Sequence, residues 1–229
     1  MNNIIYGQYD SNKYQLKRFY INDVPSYILN IIKELSYKKL AIIRGGMSFI
    51  FLLSKNDYML KDIDMIAYYK NQNDILKILS NNSEIIYVNK NSFGNTVITS
   101  FWKCSYFHLD EYYKLDILLT EDIIDYDECI WNGNKYYCIT KQYLLTDRIS
   151  KIREKFQRNH DDNKTKNHFY VSYYLSEYMI KNNYIIDKKY KDIIREKLIG
   201  IDDILKNIVS DNEIDLFFNM QKQLIGSFQ

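Results

Sequence analysis

Proline and glycine are scarce in this chain: Pro25 stands alone, and seven glycines serve 229 residues. Proline- or glycine-rich linkers are thereby excluded, and long charged or low-complexity tracts are absent as well. Only three histidines are present (His108, His160 and His168), too dispersed in sequence to suggest a histidine metal site, and His168 reads as a surface residue. The three cysteines, Cys104, Cys129 and Cys138, are odd in number, and their spacing fits neither a zinc ribbon nor a CxxC redox pair. They read as reduced, buried or half-buried thiols. No stretch approaches the roughly 18 to 20 apolar residues of a membrane helix, and Met1 to Tyr6 lacks the basic start and apolar run of a signal peptide. A cytoplasmic protein with no membrane partner is expected. The net charge of +2 neither requires nor excludes nucleic acid.

What is present is 46% hydrophobic residues, enough for a substantial core. Apolar positions at Val24, Tyr27, Ile28, Ile31, Ile32 and Leu35 recur at helical spacing, with Asn22 or Asp23 as the expected cap and Pro25 in the first turn. The run 40–43 predicts a short buried strand, closed by Arg44-Gly45-Gly46, and 47–54 a buried helix. Strands are expected over 62–68, 84–88, 96–102 and 115–119, a helix over 73–79, and a hairpin turning at Gly133. After Thr140 the pattern becomes helical, with Leu144, Leu145 and Ile149 on one face and further helices over 169–180, 188–209 and 212–226. The fold class is therefore α+β: a small mixed sheet with flanking helices in residues 1–140, then a helical domain in 141–229.

Three features fall in order along the first half. A strand ends in Gly45-Gly46 before a helix, Asp62 and Asp64 follow on a strand, and Asp116 lies on a later one. Alternation places Asp62 and Asp64 on the same strand face, about 7 Å apart. Carboxylates that close destabilise one another unless a cation intervenes. Asp116, flanked by Leu115 and Ile117, supplies a third carboxylate from an otherwise apolar strand, with Asp110 and Asp122 as nearby rivals for that place. Such an oxygen-rich cluster suits Mg2+ or Mn2+, ions that also take substrate phosphates. Two such ions could align an attacking hydroxyl and stabilise a leaving pyrophosphate. Gly45 and Gly46 would let backbone amides approach phosphates, and the helix start near Met47-Ser48 would add partial positive charge.

Gly45-Gly46, fifteen residues, then Asp62-Ile63-Asp64 resembles the signature of polymerase-β-type nucleotidyltransferases, and Lys61 before the acidic pair is similar to their AbiEii-like toxin group. The resemblance is concentrated in residues 40–120 and extends loosely to about 175. It implies a minimal nucleotidyltransferase core followed by a helical domain, with transfer of a nucleoside monophosphate from an NTP to an acceptor hydroxyl. For some relatives that acceptor is the tRNA 3′ end, which makes tRNA or other RNA, and an antitoxin protein, the implied partners. Asp62, Asp64 and Asp116 would bind the metals, Gly45, Gly46 and Ser48 the triphosphate, with Lys61 beside them. Arg148 would stand where the group has a phosphate-facing lysine, and Lys151 and Lys166 belong to the basic stretch 148–166 that suits phosphate. Asn167 and Tyr170 stand where the group has acidic residues, a departure that makes a degenerate, non-catalytic nucleotide or partner binder one alternative. A small-molecule acceptor of the antibiotic type is another.

Overall fold

The computed structural model describes residues 3–104, 111–158 and 160–226. The chain divides into two compact units, Met1–Ile139 and Thr140–Gln229. No helix among the described residues is long and apolar enough to cross a membrane.

The first unit is one mixed sheet with helices. Its strands are β1 (Ile4–Tyr6), β2 (Gln15–Leu16), β3 (Ile42–Arg44), β4 (Ile63–Tyr68), β5 (Ile85–Lys90), β6 (Thr96–Lys103), β7 (Glu111–Thr120), β8 (Tyr126–Trp131) and β9 (Asn134–Ile139). They lie in the order β1-β5-β6-β7-β4-β3-β9-β8, and β2 adds to the start of β7. At the centre β4 and β7 run parallel, with β6 antiparallel to β7 and β3 antiparallel to β4.

The pleat assigns the two faces. Ile63, Met65 and Ala67 of β4, Leu115, Ile117 and Leu119 of β7, and Ile98 of β6 enter the main core. Helices α1 (Ser26–Tyr37) and α3 (Gln72–Ser80) contribute Ile28, Ile32, Leu35, Ile75 and Leu79 to the same core, all fully buried. Short helix α2 (Gly45–Leu53) adds Met47 and Ile50, and Phe51 stacks on Trp131 of β8 with ring centroids 4.9 Å apart. Residues between these positions face the other way, and there the polar chemistry collects.

Two local expectations are corrected. Neither Asn22 nor Asp23 caps α1: both lie in a one-turn 3-10 helix, where Asp23 accepts from the Tyr20 amide, and Pro25 itself is the cap residue. The helix expected over 188–209 is broken. Gly200 takes φ +69°, a left-handed conformation that costs glycine little, and separates α6 (Lys188–Leu198) from α7 (Ile201–Leu205).

The second unit also contains α4 (Lys141–Arg153), α5 (Asp162–Lys181) and α8 (Asp211–Ile225). Thr140, Asp161 and Ser210 cap these three through their side-chain oxygens, and Glu213 completes a capping box with Ser210. Leu144, Leu145, Ile149, Phe169, Leu175 and Phe217 are fully buried, with Phe169 and Phe217 5.3 Å apart.

One buried hydroxyl ties α1 to the sheet. Ser36 Oγ accepts from the Tyr137 amide at 2.6 Å and donates to the Tyr137 carbonyl at 3.3 Å. Ser36→Ala leaves that half-buried amide without its side-chain partner, at a cost of about 1 kcal/mol. Urea denaturation should show the loss, and a midpoint equal to the wild type would contradict it.

Candidate active site

The polar face of the sheet is built by register. Tyr87 of β5 pairs with Thr99 of β6, Thr99 with Asp116 of β7, Asp116 with Asp64 of β4, and Asp64 with Arg44 of β3. These five residues form one row across five strands. Asp64 and Asp116 sit directly side by side on parallel strands, a spacing of about 5 Å. One pleat earlier, Phe101 pairs with Lys114, and Asp62 precedes β4 at the level of Lys114. Sequence and sheet register therefore bring Asp62, Asp64 and Asp116 to one place. Of the rivals for the third position, Asp122 is exposed in the turn after β7, and Asp110 and also His108 lie outside the described residues.

Lys114 stands among these carboxylates. Its ammonium lies 2.7 Å from Asp116 Oδ2 and 3.2 Å from Asp62 Oδ2, and its side chain is only 9% exposed. The Tyr9 phenol lies close enough to feel its charge. Burial opposes the charge on Lys114, but Asp116 and Asp62 more than offset it and hold the amine above the ordinary lysine range. Burial likewise pushes the Tyr9 phenol up, so near neutral pH it is a hydrogen-bonding group and not an anion. Thr99 Oγ1 donates to the other oxygen of Asp116 at 2.8 Å, which fixes the orientation of that carboxylate. Beside Lys114 the face becomes aromatic: Tyr14 stacks on Phe101 at 4.1 Å, ringed by Tyr9, Tyr87 and Tyr112.

The glycines have distinct reasons. Gly45 takes φ +70°, and a Cβ there would sit 2.3 Å from Asp64 Oδ2. A side chain at 45 would thus collide with the central carboxylate. At Gly46 a Cβ would meet Leu60 Cδ2 at 2.6 Å and the Tyr58 ring at 3.0 Å, so that glycine serves close packing. Ser48 is fully buried and donates to the Gly45 carbonyl at 2.9 Å, which pins the turn. Lys61 is exposed next to Asp62.

Arg148, Lys151 and Lys166 belong to the helical unit and are placed by contacts inside it. Arg148 is buried with Nη1 3.1 Å from His168 Nδ1, Lys151 pairs with Asp147 at 2.8 Å, and Lys166 lies over the Tyr170 ring. Tyr170 donates to Glu213. The surface position expected for His168 is corrected: it is 4% exposed, packed between Arg148 and the His160 ring. An arginine only donates, so His168 accepts at Nδ1 and carries its proton on Nε2.

The donor chemistry of Asp62, Asp64 and Asp116 fits a hard divalent cation. Among the described residues, however, no group of three or more His, Cys, Asp or Glu side chains is arranged to hold a metal ion as the side chains stand, and the Lys114 ammonium lies between Asp62 and Asp116. Lys114, Thr99 and Tyr9 are the site residues that the sequence reading missed. For Lys114 the signal was available: a lysine two positions before Asp116 shares its strand face.

No family model matches the chain, and no curated protein matches it. Among solved structures it is similar to an antigenic nucleotidyltransferase-like protein from Paracoccidioides brasiliensis, at 11% identity and TM-score 0.55, covering 88% of this chain and 95% of that one. It is also similar to JHP933 from Helicobacter pylori, at 11% identity and TM-score 0.56, covering 87% and 90%. The fold is thus that of nucleotidyltransferase-like proteins.

Burial and the positive charge of Arg148 push His168 down to about 2, with Lys151 and His160 adding to the effect and Asp147 opposing it. The folded chain therefore keeps His168 neutral through the window in which the unfolded chain protonates it, below about 6.5. The unfolded state binds the extra proton, so stability falls as pH drops through that window, by about 1.4 kcal/mol per unit for one group. Urea titrations at falling pH should show a slope shallower by roughly that amount in His168→Gln, and an unchanged slope would contradict this reading.

Proposed function

We propose that this chain is a metal-dependent nucleotidyltransferase that moves a nucleoside monophosphate from an NTP to an acceptor hydroxyl. One observation carries the reading: Asp64 and Asp116 stand in register on adjacent parallel strands, with Asp62 one pleat away and the Gly45 turn packed against Asp64. A nucleotidyltransferase-like fold agrees with it.

In this reading Asp62, Asp64 and Asp116 would hold Mg2+ or Mn2+, and the ion would supply Lewis acidity. Thr99 keeps the Asp116 carboxylate turned to the site. The absence of a side chain at Gly45 leaves room for the Asp64 carboxylate beside it, and Ser48 holds the turn in place. The aromatic group around Tyr14 and Phe101 forms an apolar wall beside the acidic row.

RNA, including a tRNA 3′ end, is the acceptor class to test first, and with it an antitoxin partner; both rest on the resemblance to AbiEii-like toxins. A small-molecule acceptor is the second reading, favoured by one feature of the basic stretch. Arg148 is engaged with His168, Lys151 with Asp147, Lys155 with Asp162 and Arg158 with Glu154, which diverts these cations from an RNA backbone.

The test is transfer of label from each α-32P NTP, with Mg2+ or Mn2+, to total RNA and to a panel of polyhydroxylated small molecules. Wild-type protein should label one acceptor class, and Asp64→Asn should lower the rate at least about 100-fold, in line with several kcal/mol of metal-borne stabilisation. Equal transfer by the variant, or none by the wild type to any acceptor, would sink the proposal.

A further inference from the structure

Lys114 is a lysine buried on a sheet face that it shares with three carboxylates. An ammonium has three protons to donate, and here it is paired with two carboxylates, Asp62 at 3.2 Å and Asp116 at 2.7 Å, with the Tyr9 phenol nearby. The group is paired on two sides and shielded from solvent, as a built-in ion would be. It is also anchored from its neighbours, because Thr99 holds the far oxygen of Asp116 and Phe101 pairs with Lys114 across β6 and β7.

A divalent cation bridging Asp62 and Asp116 would need the oxygens that Lys114 now engages. Two cations in one place repel strongly where solvent is excluded. The constraint applies to the Asp62–Asp116 span, whereas Asp64 lies against the Gly45 turn.

We infer that the Lys114 ammonium is a resident substitute for one divalent cation, so that the carboxylate cluster binds one metal ion fewer than its three aspartates would otherwise take. The inference rests on the proposed nucleotidyl-transfer reading of this site. It assigns Lys114 a positioning role: the residue holds Asp62 and Asp116 together before any metal or nucleotide arrives.

The experiment counts Mn2+ bound per chain, from the free-ion electron paramagnetic resonance signal, for wild type, Lys114→Met and Lys114→Gln. Each variant should bind one more Mn2+ than the wild type, and adding Asp62→Asn to Lys114→Met should remove the extra ion. Equal counts, or no binding by any form, would overturn the assignment. Should a variant be unfolded, recovery of its thermal transition by Mn2+ but not by Na+ supports the assignment, and lack of recovery overturns it. If the extra ion appears but no NTP label is transferred by any form, the role of Lys114 stands and the nucleotidyl-transfer reading fails.

Discussion

Carboxylates on neighbouring strands repel one another, and this sheet sets Asp64 beside Asp116 with Asp62 one pleat away. Like charges so placed cost stability unless they are compensated. Its tolerance depends on the ammonium of Lys114 between two of the three carboxylates and on Thr99 donating to Asp116. The turn at Gly45 follows from the same constraint, since any side chain there would strike Asp64. Ser48, buried and bonded to the Gly45 carbonyl, keeps that turn in place.

The rest of the first unit is organised around keeping this face polar while the other face supplies the stability. Strand alternation sends Ile63, Met65, Leu115 and Ile117 into the main core, beneath α1 and α3, and leaves Asp64, Lys114 and Asp116 on the opposite side. The acidic row needs a rigid support, because a shift of one residue between β4 and β7 would separate Asp64 from Asp116 and turn one of them into the core. Long parallel pairing from Ile63↔Leu115 to Tyr68↔Thr120 fixes that register. On the far side, Tyr14, Phe101 and their aromatic neighbours close the row with apolar surface.

Much of this was legible in the sequence where period and punctuation agree. Apolar spacing located the helix after Pro25, the alternation around Asp116 marked a buried strand, and the ordered glycines and aspartates pointed to one site. What the sequence did not show depends on contacts between distant residues. The pairing of Lys114 with Asp62 crosses two strands, and Tyr9 reaches the cluster from a segment with little regular structure. His168 reads as a surface residue because histidine is polar. Its burial becomes intelligible only once Arg148, twenty residues earlier, is seen to bond to it. The break at Gly200 was missed because apolar periodicity continues through it, while the backbone requires a left-handed turn.

The row containing Asp64 and Asp116 is the proposed binding place of a nucleotide and its metal ion. The most direct measurement is a crystal structure of the protein with Mn2+ and a nucleoside triphosphate carrying a non-hydrolysable α–β bridge, with manganese located by its anomalous scattering. Manganese is expected within coordination distance of Asp64, about 2 Å, with the triphosphate lying along the Gly45 turn. An ordered nucleotide bound elsewhere, or manganese bound away from these aspartates, would contradict that placement.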